Sequence, residues 1–352
     1  MSKSVILLIT AFLCLCFFTA SANSLNVGLN ELFFAGGQRY FLYVPVSVLA
    51  NPRESYILAS IHGFSGRTDD SAGREVVRDS ALRWSELAEK NRWVVLAPHF
   101  DEGRFNDDYQ RLNFSLIGVR ADLRLNDLIL EVARQIPGIN SDKIYLFGFS
   151  GGGQFVHRYA AFHPDRVLRA VAGGAGWYMW PDEDLLYPVG LSISELLFGI
   201  KPRINKLMNL DLLVLVGEDD TTKEELREVY FIYDLTNIQG GNRKIRAQNW
   251  INELEKISKK EGIEFNVKLA FAPNTGHSIT PELKRIASDY LVPPHTDVNK
   301  DGTVNMLDVV LVGEKLGWAM SASANPNPDL NGDGAVSILD LIIVCQSFGA
   351  GL

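Results

Sequence analysis

The run KIYLFGFSGG at 143–152 contains a serine in a setting suited to nucleophilic chemistry. Gly148-x-Ser150-x-Gly152 lies between a short apolar strand-like run and a helix-like stretch. A serine on a sharp strand-to-helix turn needs neighbours with almost no side chain, because the backbone there is crowded. Such a turn projects the hydroxyl above the sheet, beside a helix N-terminus. The alternative is a small-residue turn that only packs a helix on a strand.

An acid and a histidine follow this serine in the chain order expected of a catalytic triad. A serine hydroxyl is a poor nucleophile until a base, usually a histidine held by a carboxylate, takes its proton. An apolar run ends in the letters GEDD at 217–220, and a later one leads into Gly276-His277. We predict His277 as the base and Asp220 as the acid, with Asp219 and Glu218 as alternatives for the acid.

Acyl transfer also needs hydrogen-bond donors for the developing oxyanion. The first donor should be the backbone N–H of Gly151, which follows the nucleophile. The second should come from the loop after an early strand, where His62-Gly63 ends an apolar run. We predict the amide of Phe64 as this second donor; the alternative is that His62-Gly63 is an ordinary tight turn.

Near the C-terminus, two 12-residue segments repeat at a spacing of 32 residues. Residues 297–308 read DVNKDGTVNMLD and residues 329–340 read DLNGDGAVSILD. Oxygen-bearing side chains at alternating positions, with glycine at position 6, are the pattern of a calcium loop. Position 12 is Asp and not the longer Glu. We predict two Ca²⁺ sites, and the alternative is an acidic repeat that binds no metal. The predicted ligands are Asp297, Asn299, Asp301, Thr303, Asn305, Asp308, Asp329, Asn331, Asp333, Ala335, Ser337 and Asp340.

The N-terminus has the pattern of an export signal. Lys3 precedes an apolar run at 5–20, which leads into Ala-Ser-Ala at 20–22. This is typical of a cleaved signal peptide, and the run is shorter than the roughly 18 residues expected of a membrane span. We predict a signal peptide over 1–22 and a secreted protein without a membrane anchor; the alternative is an uncleaved anchor. Cleavage leaves Cys345 as the only cysteine, so no internal disulfide is expected.

The remaining pattern predicts an α/β domain over 23–291, a Pro-rich linker over 292–296 and a small helical domain over 297–352. Alternation of strands and helices indicates a mostly parallel sheet covered on both faces. Strands are predicted at 40–46, 55–61, 93–97, 143–147, 167–172, 212–216 and 265–271, and helices at 123–135, 152–162, 245–260, 281–291, 306–316 and 338–348.

Composition excludes several classes of protein. The chain has 352 residues, of which 47% are hydrophobic, so a disordered or fibrous chain does not fit. With 34 basic and 42 acidic residues, it is a poor candidate for sequence-independent nucleic-acid binding, which depends on clustered Lys and Arg, so no nucleic-acid partner is expected. Residues 292–352 hold seven acidic and two basic residues, hence a charge of −5, so the acidity is concentrated in the repeat region.

Residues 38–291 resemble the α/β-hydrolase superfamily, in particular secreted esterases of the polyhydroxybutyrate-depolymerase and feruloyl-esterase type. The resemblance implies hydrolysis of carboxylic esters, polymeric ones included, with no cofactor for catalysis. Two departures are the absence of cysteines and the segment 177–202, which matches no pattern. Its aromatic residues are expected to form either a lid or substrate wall, or the core of a helical cap. The matching runs are YVPVSV, the His62-Gly63 turn, DLILEVARQIPGINSDKIYLFGFSGGG, HPDRV, VAGGAG and Gly276-His277.

The repeat region, at about 296–349, resembles a dockerin domain. This resemblance implies folding that depends on calcium and a cohesin domain on a scaffold protein as the partner. The chain departs from the family at positions 10 and 11 of each loop, where polar residues often contact cohesin. Here these positions are Met306-Leu307 and Ile338-Leu339.

Three functions are compatible with these patterns. The first is an exported serine hydrolase that cleaves carboxylic esters and is attached to a partner through the dockerin-like module. The second is a serine peptidase of the same fold, since ester and amide cleavage use one machinery. The third is a non-catalytic, calcium-dependent scaffold or adhesion protein.

Overall fold

The computed structural model describes residues 25–63, 70–105, 108–112, 119–223, 233–299, 301, 303–320 and 327–349. The predicted signal peptide over 1–22 and the predicted oxyanion donor Phe64 lie outside the described residues.

The strands of the described residues form one eight-stranded sheet. They are β1 (Gly28–Phe34), β2 (Gln38–Val44), β3 (Tyr56–Ile61), β4 (Trp93–Pro98), β5 (Asn140–Phe149), β6 (Val167–Gly173), β7 (Asp211–Gly217) and β8 (Lys268–Ala272). The spatial order is β1-β2-β4-β3-β5-β6-β7-β8. β2 pairs antiparallel with β1 and β4, and all other pairs are parallel.

Helices connect the strands and form the C-terminal domain. In the described residues they are α1 (Val46–Ala50), α2 (Asp70–Leu82), α3 (Ser85–Asn91), α4 (Glu102–Phe105), α5 (Ala121–Gln135), α6 (Gly151–Phe162), α7 (Ser194–Phe198), α8 (Ile204–Met208), α9 (Leu235–Gln239), α10 (Arg243–Glu261), α11 (Pro281–Leu291), α12 (Met306–Glu314) and α13 (Ile338–Gln346). No helix in the part of the chain that the structure describes has the length and apolar character needed to span a membrane.

Alternate strand residues enter two cores on opposite faces of the sheet, because successive side chains of a strand point to opposite sides. Ile144 and Leu146 of β5 join the core that contains residues of α5, α6 and α10. Tyr145 and Phe147 join the core that contains residues of α3 and α11. β4 and β7 are buried along their whole lengths, which explains why their sequences are apolar except for Asp211 at the start of β7.

The predicted α/β class and mostly parallel sheet are confirmed. The strand predicted at 265–271 is found at 268–272, as β8. The sequence pattern did not predict β1, α2 and α3. β1 reads GLNELFF, and its polar Asn30 is 7% exposed, with a side-chain amide that donates to the carbonyl oxygens of Asn26, Gly28 and Leu42. Because these backbone acceptors satisfy the amide, a polar residue can occupy the inner side of this strand.

The aromatic residues of the segment 177–202 are mainly core residues. Trp177, Tyr178 and Tyr187 are at most 4% exposed, so the substrate-wall interpretation is wrong for these three side chains. The guanidinium of Arg158 lies 4.3 Å from the Trp177 ring centroid, and Tyr178 stacks on Trp250 with ring centroids 4.8 Å apart. The segment contains a single short helix, α7.

The C-terminal domain has a small core of its own. Val298, Val312 and Val336 are buried together, so the core joins α12 to both repeat loops. The helices predicted at 306–316 and 338–348 are confirmed as α12 and α13, each ending two residues earlier.

Candidate active site

Ser150 occupies the sharp turn between β5 and α6. Its backbone has φ of 58° and ψ of −117°, a conformation that residues other than glycine rarely adopt. The Ser150 N–H donates to the Gly173 carbonyl at 2.8 Å, which ties the turn to the end of β6. The turn therefore holds the serine at the carboxyl edge of the parallel strands, where open α/β sheets bind their ligands.

Steric crowding explains the glycines of the G-x-S-x-G sequence. A Cβ at Gly148 would collide with the backbone carbonyl of Gly152 in the first turn of α6. A Cβ at Gly152 would collide with the Ile61 carbonyl at the end of β3, and one at Gly153 with the Gly173 carbonyl at the end of β6. Only glycine lets α6 start this close to three strands.

His277 connects Ser150 to Asp220 through two hydrogen bonds. His277 Nε2 lies 3.0 Å from Ser150 Oγ, and His277 Nδ1 lies 2.7 Å from Asp220 Oδ2. Because a carboxylate only accepts, Nδ1 is the protonated nitrogen and Nε2 is free to accept the serine proton. The Asp220 side chain is 2% exposed and the His277 side chain is 30% exposed, so the acid is shielded while the base is accessible from solvent.

The loops after β7 and β8 are joined by backbone hydrogen bonds that fix this arrangement. The N–H of Glu218 donates to the Ala272 carbonyl at 2.8 Å, and that of Asp219 donates to the Thr275 carbonyl at 2.9 Å. The side chains of Glu218 and Asp219 are exposed, whereas Asp220 turns inward to His277. Of the three acids that the sequence offered, Asp220 is the one that contacts the histidine.

Of the two predicted oxyanion donors, Gly151 lies within the described residues. Gly151 is the first residue of α6, so its N–H belongs to a helix N-terminus directly after Ser150. Phe64 lies outside the described residues, but Gly63 before it is close to the nucleophile. A Cβ at Gly63 would lie 3.2 Å from the Phe149 carbonyl oxygen and 3.5 Å from Ser150 Cβ.

His62 anchors the turn beside the nucleophile, a role that the sequence reading missed. Its Nδ1 donates to the Gly63 carbonyl at 2.8 Å, and its Nε2 accepts from the Phe100 N–H at 3.1 Å. The Tyr109 hydroxyl donates to the His62 carbonyl at 3.0 Å. Burial lowers the pKa of His62 to about 4, so the ring is neutral and can donate and accept at once. Its position before a turn glycine was the one available signal.

The two C-terminal repeat loops each close on an aspartate at position 12. Asp308 Oδ1 accepts from the Asn299 N–H at 3.0 Å, and its Oδ2 accepts from the Asn305 N–H at 2.8 Å. Asp340 makes the matching contacts to the N–H groups of Asn331 and Ser337, at 3.0 and 2.8 Å. Burial would raise the pKa of Asp340, but these backbone donors outweigh it and hold the pKa below its usual range.

The other predicted ligands lie along the same loops. Asn299 Nδ2 donates to Asp301 Oδ2, and Asn331 Nδ2 donates to Asp333 Oδ2, both at 2.8 Å. Gly334 at position 6 has φ of 91°, which explains the glycine there. Among the residues with a described placement, no three His, Cys, Asp or Glu side chains are gathered as a metal site. The donors are nevertheless hard oxygens on short loops, the ligand type that Ca²⁺ prefers. The remaining predicted ligands on these loops are Asp297, Thr303, Asn305, Asp329, Ala335 and Ser337.

Comparisons with known proteins agree with this two-part architecture. Residues 295–348 match the dockerin type I domain, a family that generally binds calcium and pairs with cohesin scaffolds. The fold is similar to that of poly(aspartic acid) hydrolase-1 from Sphingomonas sp. KT-1, with 24% identity over 75% of this chain and 98% of that chain and a TM-score of 0.60. It is also similar to LpqC, a poly(3-hydroxybutyrate) depolymerase from Bordetella parapertussis, with 19% identity over 76% and 90% of the two chains and a TM-score of 0.60. No curated protein sequence matches the chain. The larger domain therefore has the α/β-hydrolase fold, joined to a C-terminal dockerin domain.

Because two histidines are buried in the fold, we predict that the free energy of unfolding decreases in mild acid. Burial lowers the pKa of His62 to about 4 and that of His157 well below its ordinary value. The unfolded chain takes up protons on these histidines near pH 6.5, whereas the folded protein does not. The stability of the fold is therefore highest above that pH and decreases as the pH falls toward the pKa of the folded state. Between pH 7.5 and 5.5, the free energy of unfolding measured by urea denaturation should fall by about 1 kcal/mol for each histidine.

His62→Asn and His157→Gln should each flatten this pH dependence, since each removes one group that the fold keeps neutral. His295→Gln, at an exposed histidine, is the matched control. An unchanged slope in both buried-site variants would contradict the interpretation.

Proposed function

We propose that the chain is a serine hydrolase that cleaves carboxylic ester bonds. The observation that carries this proposal is the hydrogen-bonded series from Ser150 through His277 to Asp220, at the carboxyl edge of a parallel sheet. Each member can act in the expected role: the hydroxyl faces one ring nitrogen of His277, and the opposite ring nitrogen faces a shielded carboxylate.

The proposed reaction has two halves. Ser150 Oγ attacks the acyl carbon while His277 Nε2 takes the hydroxyl proton, and Asp220 stabilises the imidazolium that forms. The N–H groups of Gly151 and Phe64 hold the oxyanion. The C–O bond then breaks, and His277 gives its proton to the departing alcohol. A water molecule, deprotonated by His277, then attacks the acyl carbon of the acyl-serine. The bond between this carbon and Ser150 Oγ breaks, His277 returns the proton to Oγ, and the acid is released.

The proposed substrates are polyesters or acyl esters attached to plant polysaccharides. Contact between Ser150 and His277 occurs at an exposed position, which suits a bulky or polymeric ester. The names of two proteins of similar fold refer to polymer hydrolysis. One of them is a poly(aspartic acid) hydrolase, which favours testing an amide substrate as the second candidate.

We also propose that the protein is exported. Residues 1–22 have the pattern of a signal peptide. Proteins that carry a dockerin domain are typically extracellular. We propose domain boundaries at 23–291 for the hydrolase domain, 292–296 for the Pro-rich linker and 297–352 for the dockerin domain.

Ser150→Ala should reduce hydrolysis of p-nitrophenyl acetate at least about 10³-fold, because the nucleophile is removed. The same variant should be inactive on whichever member of a panel of feruloyl, acetyl-xylan, polyhydroxyalkanoate and peptide substrates the native protein cleaves. Ser288→Ala on α11 is the control. Ester hydrolysis that persists in Ser150→Ala would overturn the nucleophile assignment, and a panel in which only peptides are cleaved would favour the peptidase.

We further propose that each repeat loop binds one Ca²⁺ ion. Oxygens at positions 1, 3, 5, 7, 9 and 12 are the proposed donors, with backbone carbonyls at position 7. The ion would supply positive charge that holds these oxygens together. This proposal rests on the oxygen donors along both loops and on the match to a calcium-binding family.

Calorimetric titration of the full-length protein with CaCl₂ should give about two ions per chain, with affinities in the range of roughly 10⁻⁷ to 10⁻⁴ M. Asp301→Ala should leave one ion, and Asp301→Ala with Asp333→Ala should leave none. Asp289→Ala, at an exposed carboxylate of α11, is the control. Two bound ions in the double variant would contradict the ligand assignment.

The proposed partner of the dockerin domain is a cohesin domain with an apolar contact surface. Residues at equivalent positions of the two repeats are both apolar and exposed: Leu307 and Leu339 at 58% and 53%, and Met306 and Ile338 at 60% and 62%. Val310 and Ile342, and Leu316 and Phe348, extend the pattern. This apolar face replaces the polar residues that often contact cohesin, so a polar cohesin surface would not match it.

Leu307→Asp combined with Leu339→Asp should weaken binding to a purified apolar-faced cohesin domain by at least about 100-fold, because each leucine contributes roughly 1.5–3 kcal/mol when buried. Surface plasmon resonance with Ca²⁺ present measures this loss. Leu130→Asp on α5, at a leucine 60% exposed, is the matched control. Undiminished cohesin binding by the double variant would exclude this face as the contact surface.

A further inference from the structure

The start of α10 lies against the loop that carries Asp220. Arg243 Nη1 lies 3.4 Å from Asp220 Oδ1, while Asp220 Oδ2 lies 2.7 Å from His277 Nδ1. One residue further along, Lys244 Nζ donates to the Glu218 carbonyl at 3.1 Å. The two oxygens of the triad carboxylate therefore have different partners, and the same helix turn also holds the backbone before it.

This contact is shielded from water. The Asp220 side chain is 2% exposed and the Arg243 side chain is 15% exposed. Arg246, one turn further along α10, is completely buried. Tyr178 reports on the same region: burial raises its pKa, Asp220 raises it further, and the two arginines oppose the rise. In such a poorly hydrated region, ionic contacts are screened less than at the surface.

The helix start itself is held in place. The Asn242 side chain accepts from the Ile245 N–H at 2.9 Å and caps α10. Arg246 donates to the Gly240 carbonyl at 3.3 Å. Trp250, on the same helix, is fully buried and donates to the Met179 carbonyl at 2.8 Å. The backbone of Arg243 is thus fixed from both sides, so its guanidinium can hold a carboxylate in one orientation.

We propose that Arg243 is a positioning residue for Asp220. By engaging Oδ1, it limits rotation of the carboxylate and keeps Oδ2 directed at His277 Nδ1. This inference rests on the proposed triad. Arg243 acts through Asp220 and needs no contact with substrate, so its effect belongs in the rate of the chemical steps and not in substrate affinity.

Arg243→Gln should lower kcat for p-nitrophenyl acetate about tenfold and leave KM within about twofold of the native value. Arg243→Met, which keeps the aliphatic stem, should show the same loss. Arg243→Lys should recover activity to within about threefold of native, because it restores a positive donor without the planar fork. The rate of Ser150 labelling by a fluorophosphonate probe should follow the order of kcat.

The matched control is Arg169→Gln. Arg169 forms a buried ion pair with Asp211 at 3.0 Å, near the opposite ends of β6 and β7 from the triad. Its loss tests whether removal of any buried Arg–Asp contact lowers activity. Rates are expressed per folded protein, measured by circular dichroism and unfolding temperature. Arg169→Gln should keep native kcat on this basis.

Two results would overturn the positioning role while leaving the esterase intact. One is native kcat and labelling rate in both Arg243→Gln and Arg243→Met; the other is an equal loss of kcat in Arg169→Gln. Failure of the proposed function gives a different result, because the native protein would then show neither Ser150-dependent hydrolysis nor labelling. That outcome would overturn the positioning role together with the triad.

Discussion

The strained, positive-φ backbone of Ser150 is the constraint on which the larger domain depends. Such a conformation costs roughly 1–3 kcal/mol for a residue with a side chain, so its surroundings must enforce it. The Gly173 carbonyl accepts the Ser150 N–H, and the glycines at 148 and 152 let α6 approach β5 and β3 without collision. The strained turn thus sets how closely the helix, its N-terminal amides and the neighbouring strands can meet.

Parallel strand order then determines what can reach this serine. β5, β6, β7 and β8 are consecutive neighbours, so the loops at their carboxyl ends lie side by side. Backbone hydrogen bonds join the loop after β7 to the loop after β8, and the first turn of α10 contacts the loop that carries Asp220. The acid is therefore held by its own loop, by the histidine loop and by a helix. The His277 side chain remains 30% exposed, as a base that must meet substrate requires.

The sequence predicted the parts of the site that depend on local pattern. The strand-turn-helix around Ser150 and the acids directly after β7 are local features of the sequence. The parallel strand order of the sheet then brings these side chains together. Arg243 could not be found in this way, because its contact with Asp220 depends on the path of the intervening residues and on the burial of α10. The sequence indicates His62 only as part of a turn, since its two ring hydrogen bonds involve backbone groups that no sequence pattern marks. The aromatic segment was ambiguous because rings suit a core as well as a binding wall, and burial decides for Trp177 and Tyr178.

The dockerin domain depends on a different balance of forces. Among its described residues the buried core consists mainly of five valines, Val298, Val304, Val312, Val336 and Val344, which is a small apolar core for fixing two helices by packing alone. The aspartate at position 12 of each loop compensates, because one buried carboxylate accepts from the loop backbone and also completes the capping box of the next helix. The same carboxylate therefore connects the loop to the start of the next helix and helps to set the orientation of that helix. Since the exposed leucines of the apolar face lie in the first turns of the same helices, the ordering of the loops and the presentation of that face are coupled.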